Sequence, residues 1–149
     1  MTAEHLTERL ESFVERCTDA GLSATHQRRV IYRVLAESED HPSPEMVYER
    51  VRREIPSISQ ATVYNNIHKF VEVGLLEEVS KLHQTSRLDA NMEPHHHLVC
   101  VDCKKVVDYY DAALDKARSR HREPHGFEIR RYHVEMHGLC PDCRTAEAN

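Results

Sequence analysis

Two pairs of cysteines carry the clearest chemical signal in this 149-residue sequence. Cys100-Val-Asp-Cys103 and Cys140-Pro-Asp-Cys143 are CxxC turns with 36 residues between them. Four thiolates from two such turns can surround one ion tetrahedrally, and soft thiolates favour zinc over manganese or ferrous iron. We therefore predict a structural Zn²⁺ site at these cysteines. An iron–sulfur cluster is the alternative, and the second CxxC argues against a redox pair.

A run of three histidines stands just before the first cysteine pair. Residues two apart in a strand point to the same face, so His95 and His97 project together and His96 points the other way. Asp108 lies inside the apolar stretch VVDYY, where a buried carboxylate needs a cation or hydrogen-bond donors. The pair and this acid predict a second metal site of nitrogen and oxygen ligands, suited to ferrous iron, manganese or zinc. An isolated histidine, by contrast, is usually solvated or hydrogen-bonded.

The composition favours a soluble cytoplasmic protein. Apolar residues make up 40% of the chain, and the N-terminal MTAEHLTERL lacks the pattern of a signal peptide. No stretch approaches the ~20 apolar residues that span a bilayer. The formal net charge of −5 is shared by both halves, so any DNA binding must come from a local patch.

The first half of the sequence has the period of helices. We predict helices from Leu6 towards Gly21, from a cap at Thr25, from Ser43-Pro44 to Ile55, and from Ser59 to Val73. Two short extended stretches follow, at 75–79 and 86–88. A last helix with a polar outer face, followed by a hairpin, is typical of a winged helix-turn-helix, although a generic helical bundle fits the same pattern.

The second half changes period. HHHLVCV, KVVDYYD and FEIRRYHVEM alternate like strands, and 112–122 has the pattern of a helix. The predicted fold class is α+β, with an N-terminal winged-helix DNA-binding domain and a C-terminal α/β domain carrying the four-cysteine zinc site. We place the first domain at 1–84, a junction at 85–94 and a second, metal-binding domain at 95–149.

Several stretches together resemble the ferric uptake regulators, most closely their peroxide-sensing PerR branch. The resemblance runs from about Leu6 to Cys143 and is carried by the following stretches: Thr25–Arg28, HPSPEMVY from His41, SQATVYNN from Ser59, SRLD ending at Asp89, HHHLVCVDC, VVDYY and GLCPDC. It implies a homodimeric, metal-dependent transcriptional repressor that is not an enzyme and that binds double-stranded operator DNA. The resemblance further implies that 85–94 is a hinge carrying a metal ligand and that 95–149 is the dimerisation and metal-binding domain.

The resemblance also implies roles for individual residues. The regulatory site, for Fe²⁺ or Mn²⁺, would consist of His41, Asp89, His95, His97 and Asp108. A further metal site would draw on His96 and His125, completed by Asp108. The DNA-binding residues would be Arg28, Ser59, Gln60, Thr62, Tyr64, Asn65 and Lys69, with Tyr64 reading base edges and Arg28 on the backbone.

The sensed signal is not fixed by these motifs. Asp108 and Asn65 resemble the peroxide branch, in which oxidation of a ligand histidine, at His41 or His95, releases DNA. His125 resembles a ligand of iron and zinc sensors, so an iron-responsive or zinc-responsive repressor is the alternative. Two readings from other classes are a zinc hydrolase and a zinc-ribbon interaction module. The hydrolase interpretation is disfavoured, because the sequence contains neither a nucleophile motif nor HExxH.

Overall fold

The structure is a computed structural model that describes residues 3–79, 86–120, 123–129 and 131–147. The chain divides into two compact units, Met1–Met92 and Glu93–Asn149. This division lies within the segment 85–94 that the sequence predicts as a hinge. No helix in the described part of the chain combines the length and apolar character needed to cross a bilayer.

Helices dominate the first unit and strands the second. The elements are α1 (Ala3–Asp19), α2 (His26–Glu37), α3 (Pro44–Glu54), α4 (Gln60–Glu72), β1 (Glu77–Val79), β2 (Arg87–Asp89), β3 (His96–Cys100), β4 (Val106–Tyr109), α5 (Ala112–Arg120), β5 (Glu135–Gly138) and α6 (Pro141–Glu147). A 3-10 turn at Pro124–Gly126 lies between α5 and β5.

Polar caps start the helices of the first unit where the sequence predicts them. Thr25, Ser43 and Ser59 each accept a hydrogen bond from the backbone N–H three residues later. A cap of this kind contributes about 1 kcal/mol to helix stability. Ser59 fixes where α4 begins, and burial of Val63, Ile67 and Phe70 leaves the opposite face of the helix exposed.

Three aromatic rings form the centre of the first unit. Phe13 stacks on Tyr32 with ring centroids 4.5 Å apart, and Phe70 meets both rings edge-on. Apolar side chains of α1 to α4 and of the β1–β2 hairpin complete this core. In that hairpin the strands are antiparallel, with Glu77 opposite Asp89. Helices followed by a hairpin give the predicted winged helix-turn-helix.

The second unit is built on a three-stranded sheet in the order β4-β3-β5. Strand β3 pairs with β4 in an antiparallel register that places His97 opposite Asp108, and with β5 in a parallel register. The α+β prediction is confirmed. The registers decide which side chains meet, since opposite residues in a pair share a face.

The strand predicted at FEIRRYHVEM is wrong for most of its length. Within the described residues, β5 begins only at Glu135, and a turn occupies Pro124–Gly126. The parallel register of β3 with β5 runs from His97 opposite Glu135 to Cys100 opposite Gly138, so the regular strand covers only the end of the alternating stretch. The helix predicted at 112–122 ends at Arg120 within the described residues, and 121–122 lie outside them. Helix α6 was not predicted.

Candidate metal centres and nucleic-acid interface

The four cysteines of the two CxxC turns come together in the second unit. Their Sγ atoms all lie within 4.8 Å of one another, and the Sγ atoms of Cys103 and Cys140 are 3.7 Å apart. A tetrahedral ion with zinc–sulfur bonds of ~2.3 Å requires sulfur atoms ~3.8 Å apart. The spacing and the soft donors therefore fit a structural zinc ion.

The charges around these cysteines also fit a cation. A hydrogen bond from the Cys140 backbone N–H to the Cys100 sulfur, 3.4 Å long, is the main cause that lowers the pKa of Cys100 to about 6. Asp102 and the neighbouring thiols instead raise the pKa of Cys143. Four thiolates at this spacing repel one another, and a divalent cation among them removes that repulsion.

A histidine pair and one carboxylate form a second cluster on the sheet of the same unit. The Nε2 atoms of His95 and His97 are 3.0 Å apart, and Asp108 Oδ1 lies 3.4 Å from the first and 3.8 Å from the second. Two metal–nitrogen bonds of ~2.1 Å at a right angle place their nitrogens ~3.0 Å apart. The predicted grouping of these three residues on one face is present.

The tautomer of His95 leaves a nitrogen lone pair available to a metal ion. Its Nδ1 lies 2.7 Å from the backbone carbonyl of Glu93, and a carbonyl can only accept, so Nδ1–H is the donor. In the neutral ring Nε2 then carries the lone pair, and it faces His97 and Asp108. A backbone acceptor that fixes the tautomer in this way is typical of histidine ligands.

A further histidine–carboxylate pair lies in the first unit. His41 Nε2 lies 3.6 Å from Asp89 Oδ2, and both residues are only 5% exposed. His41 stands just before α3, and Asp89 ends β2. The backbone N–H of Asn91 donates to Asp89 Oδ1 at 2.7 Å, which leaves Oδ2 directed towards the histidine. An imidazole and a carboxylate are again suited to a divalent cation.

His96 takes part in neither cluster. The backbone N–H of Val134 donates to its Nδ1 at 3.1 Å, so in the neutral ring the proton is on Nε2, which faces Asp115 Oδ1 at 3.3 Å. His125 is exposed in the turn after α5. The potential metal clusters among the described residues include neither histidine, so the structure does not assemble the predicted additional site from them.

Helix α4 presents the residues that were expected to contact DNA. Gln60, Tyr64 and Asn65 are exposed, and the Gln60 side-chain amide donates to the Tyr64 hydroxyl at 3.2 Å. Ser59 caps the helix and its hydroxyl lies 2.8 Å from that of Thr62. At the other end, Lys69 pairs with Glu72 at 3.3 Å. The face carries side-chain amides and a hydroxyl, groups of the kind that can hydrogen-bond to base edges.

Arg28 is tied to this helix by a residue that sequence reasoning missed. Its Nε donates to Asn66 Oδ1 at 2.8 Å, and the Asn66 amide donates to the Thr62 carbonyl at the same distance. A third bond runs from Arg28 Nη1 to the Ser23 carbonyl. The guanidinium is thus fixed beside α4. The position of Asn66 one turn after Thr62 was a signal that could have identified it.

The comparison with known families identifies the class of protein. Residues 19–137 match the ferric uptake regulator family. The chain belongs to that family. Its members are metal-responsive regulators, and this coarse function therefore holds for the chain. The matched region contains both histidine–carboxylate sets, α4 and the first cysteine pair.

Individual relatives support the same assignment. The peroxide-responsive repressor PerR of Staphylococcus epidermidis is 31% identical over 141 residues, which cover 95% of this chain and 94% of that protein. A solved zinc-bound manganese uptake regulator is 31% identical, with a TM-score of 0.67 over 89% of this chain and 98% of its own.

Structural likeness extends further than sequence identity. The Helicobacter pylori ferric uptake regulator Fur, described as having three functional metal-binding sites, has a TM-score of 0.74 over 93% of each chain. It is only 22% identical, so this likeness shows the fold alone.

Proposed function

We propose that this chain is a homodimeric transcriptional repressor that binds operator DNA when a regulatory Fe²⁺ or Mn²⁺ ion is held, and that it senses peroxide. The observation that carries the proposal is the division of the thiol-free ligands between the two compact units. His41 and Asp89 belong to the first unit, and His95, His97 and Asp108 to the second.

The divided ligand set gives a physical basis for a switch. An ion that takes ligands from both units binds most tightly when the units approach, so it selects that arrangement of the chain. A shift from mostly open to mostly closed molecules needs a differential affinity of about 5 kcal/mol. Several nitrogen and oxygen ligands gained together are sufficient for this.

The structural zinc has a different role in the proposal. All four cysteines belong to the second unit, so the ion they hold fixes the two CxxC turns of that unit without joining it to the first. Soft thiolates retain zinc, whereas the nitrogen–oxygen set suits harder ions such as ferrous iron and manganese. The two sites therefore keep different metals.

Dimerisation is proposed through the second unit. Leu98 and Val107 are cross-strand neighbours on the sheet and are 39% and 42% exposed. Burial of such apolar pairs drives association. A dimer would present two copies of α4, and helix-turn-helix dimers place these in successive major grooves of a palindromic site. Leu98→Asp should produce monomers in sedimentation experiments, and unchanged dimers would contradict this surface.

Sensing of peroxide rests on Asp108, the thiol-free ligands and the likeness to PerR. Ferrous iron supplies the reductive chemistry towards hydrogen peroxide when it is bound. The chain would contribute the imidazole rings of His41 and His95 as the groups that are oxidised. The net change inserts one oxygen atom into a ring C–H bond and reduces hydrogen peroxide to water. The altered ring is a poorer ligand, so the regulatory site is lost and DNA is released.

A DNA-binding titration tests this function. An operator palindrome is first selected from a random pool with zinc- and Mn²⁺-loaded protein. Its affinity is then measured by fluorescence anisotropy with Mn²⁺, with anaerobic Fe²⁺ and after chelation. We expect binding to weaken at least about 100-fold without the regulatory ion, within the usual range of strong allosteric coupling. Equal affinity under all three conditions would contradict a metal-dependent repressor.

Peroxide challenge separates the possible signals. The iron-loaded protein should lose DNA binding and gain one oxygen atom on His41 or His95 in a peptide mass map, and the manganese-loaded protein should not. If iron-dependent binding persists in peroxide and neither histidine gains oxygen, the chain is an iron-responsive repressor. If only added zinc restores DNA binding, it is a zinc-responsive repressor.

A further inference from the structure

His41 has an unusual backbone conformation for a buried residue. Its φ angle is +47°, in the left-handed region that a side chain with a Cβ rarely occupies. The residue is 5% exposed, and its Nε2 points to Asp89. A non-glycine residue keeps this conformation only when its surroundings impose it. The residues on either side of His41 supply such restraints.

Arg50 restrains the chain before His41. From α3, its Nη1 donates to Ser38 Oγ at 2.8 Å and to Asp40 Oδ1 at 3.0 Å, and its Nη2 donates to Asp40 Oδ2 at 2.5 Å. The Ser38 hydroxyl in turn donates to the Val34 carbonyl in α2.

A second restraint acts on the chain after His41. The backbone N–H of Leu88 donates to the Pro42 carbonyl at 3.0 Å, which attaches this segment to β2 next to Asp89. Ser43 then caps α3. His41 is therefore held between one link to Arg50 and one link to the strand that carries Asp89. The two links lie within the first unit and are independent of each other.

We propose that Arg50 is a positioning residue for the regulatory metal. By clamping Asp40 and Ser38, it imposes the left-handed conformation on His41 and thereby directs its Nε2 towards Asp89. The proposal rests on the proposed function, in which His41 is a metal ligand. Because the clamp joins the end of α2 to α3, it also connects this ligand to the helices that precede α4.

The geometry distinguishes this clamp from an ordinary surface ion pair. Arg50 and Asp40 side chains are 32% and 50% exposed, and a single exposed pair would contribute little to stability. The interaction is bidentate, however, and a third hydrogen bond to Ser38 fixes the plane of the guanidinium. Its removal should therefore affect the position of His41 much more than the overall stability of the fold.

Substitution of Arg50 tests the proposal. Mn²⁺ affinity is measured by competition with a metal indicator on the zinc-loaded full chain, and thermal unfolding is followed in parallel. Arg50→Met should weaken Mn²⁺ binding about tenfold, as removal of the hydrogen bonds that support metal ligands does, and leave unfolding nearly unchanged. The matched control is Arg52→Met, since Arg52 lies on the same helix and pairs with Glu49 at 3.4 Å.

A double substitution shows whether the effect passes through His41. In the His41→Ala background, Arg50→Met should cause no further decrease in Mn²⁺ affinity, because the ligand it positions is absent. An additional decrease of the same size, or wild-type affinity in Arg50→Met alone, would overturn the proposal. If Arg50→Met unfolds, Asp40→Asn weakens the same clamp and should give the same result.

The failure of the proposed function would be recognised separately. If His41→Ala binds Mn²⁺ as tightly as the wild type, His41 is not a ligand, and the ligand set of the proposed function is wrong. If His41→Ala binds Mn²⁺ more weakly than the wild type while Arg50→Met behaves like Arg52→Met, the divided site survives and only the positioning role is contradicted.

Discussion

The cysteine cluster and the histidine–carboxylate sets differ in how their ligands are distributed. The four cysteines belong to one compact unit, with one pair at the end of β3 and just after it, and the other pair between β5 and the first turn of α6. The proposed nitrogen and oxygen ligands are divided, with His41 and Asp89 in the first unit and the other three in the second. A site within one unit binds its ion whatever the other unit does. Ligands drawn from two units make occupancy depend on the arrangement of the whole chain.

Removal of a zinc ligand should have the largest effect. We expect Cys103→Ser to lose the structural zinc and the cooperative unfolding of the second unit, because binding of a structural ion contributes directly to folding. Zinc content and unfolding followed by circular dichroism measure this. Cys17→Ala is the control, since it removes a buried thiol in the first unit and should keep zinc. A folded Cys103→Ser protein without zinc would contradict the structural role.

Chelation should separate the two sites by their lability. EDTA should remove the regulatory ion within minutes and weaken operator binding at least about 100-fold, while zinc stays bound to the four thiolates. Metal analysis after desalting and an anisotropy titration measure both effects. Re-addition of Mn²⁺ should restore binding. If zinc leaves together with the regulatory ion, the distinction between a permanent and an exchangeable site fails.

A change outside both sites should have a smaller effect and a different signature. Arg28→Gln removes a cation held beside α4. It should reduce the salt dependence of DNA affinity by a slope of about 0.9 for each phosphate that is no longer neutralised, equally for operator and random DNA. Mn²⁺ affinity should not change. Altered Mn²⁺ binding would show that the DNA-binding face and the regulatory ligands are not separate.

Much of this arrangement follows from local sequence signals. The caps at Thr25, Ser43 and Ser59 define where helices start, because each satisfies an otherwise unpaired N–H of the first turn. The alternation in HHHLVC places His95 and His97 on one face, and two CxxC turns specify four converging thiols. Such signals depend on residues close in sequence, so they can be predicted without knowledge of the fold.

The remaining features depend on interactions between distant residues. His95 and His96 are neighbours, yet one donates from Nδ1 to a carbonyl and the other accepts on Nδ1 from Val134. Only the parallel pairing of β3 with β5 brings Val134 to His96, and no local pattern encodes that pairing. The position of Asp115 beside His96 and the left-handed conformation of His41 also depend on residues distant in sequence. His41 is restrained by Arg50 and Leu88, which belong to other elements.

The central claim is that one regulatory ion takes ligands from both units. It is tested most directly by Mn²⁺ titration of the zinc-loaded chain carrying Asp89→Asn or Asp108→Asn, one carboxylate from each unit. We predict that each change weakens the same single Mn²⁺ equivalent at least about tenfold and leaves zinc bound. Wild-type Mn²⁺ affinity in either variant would show that the ion is held by one unit alone and would contradict the account.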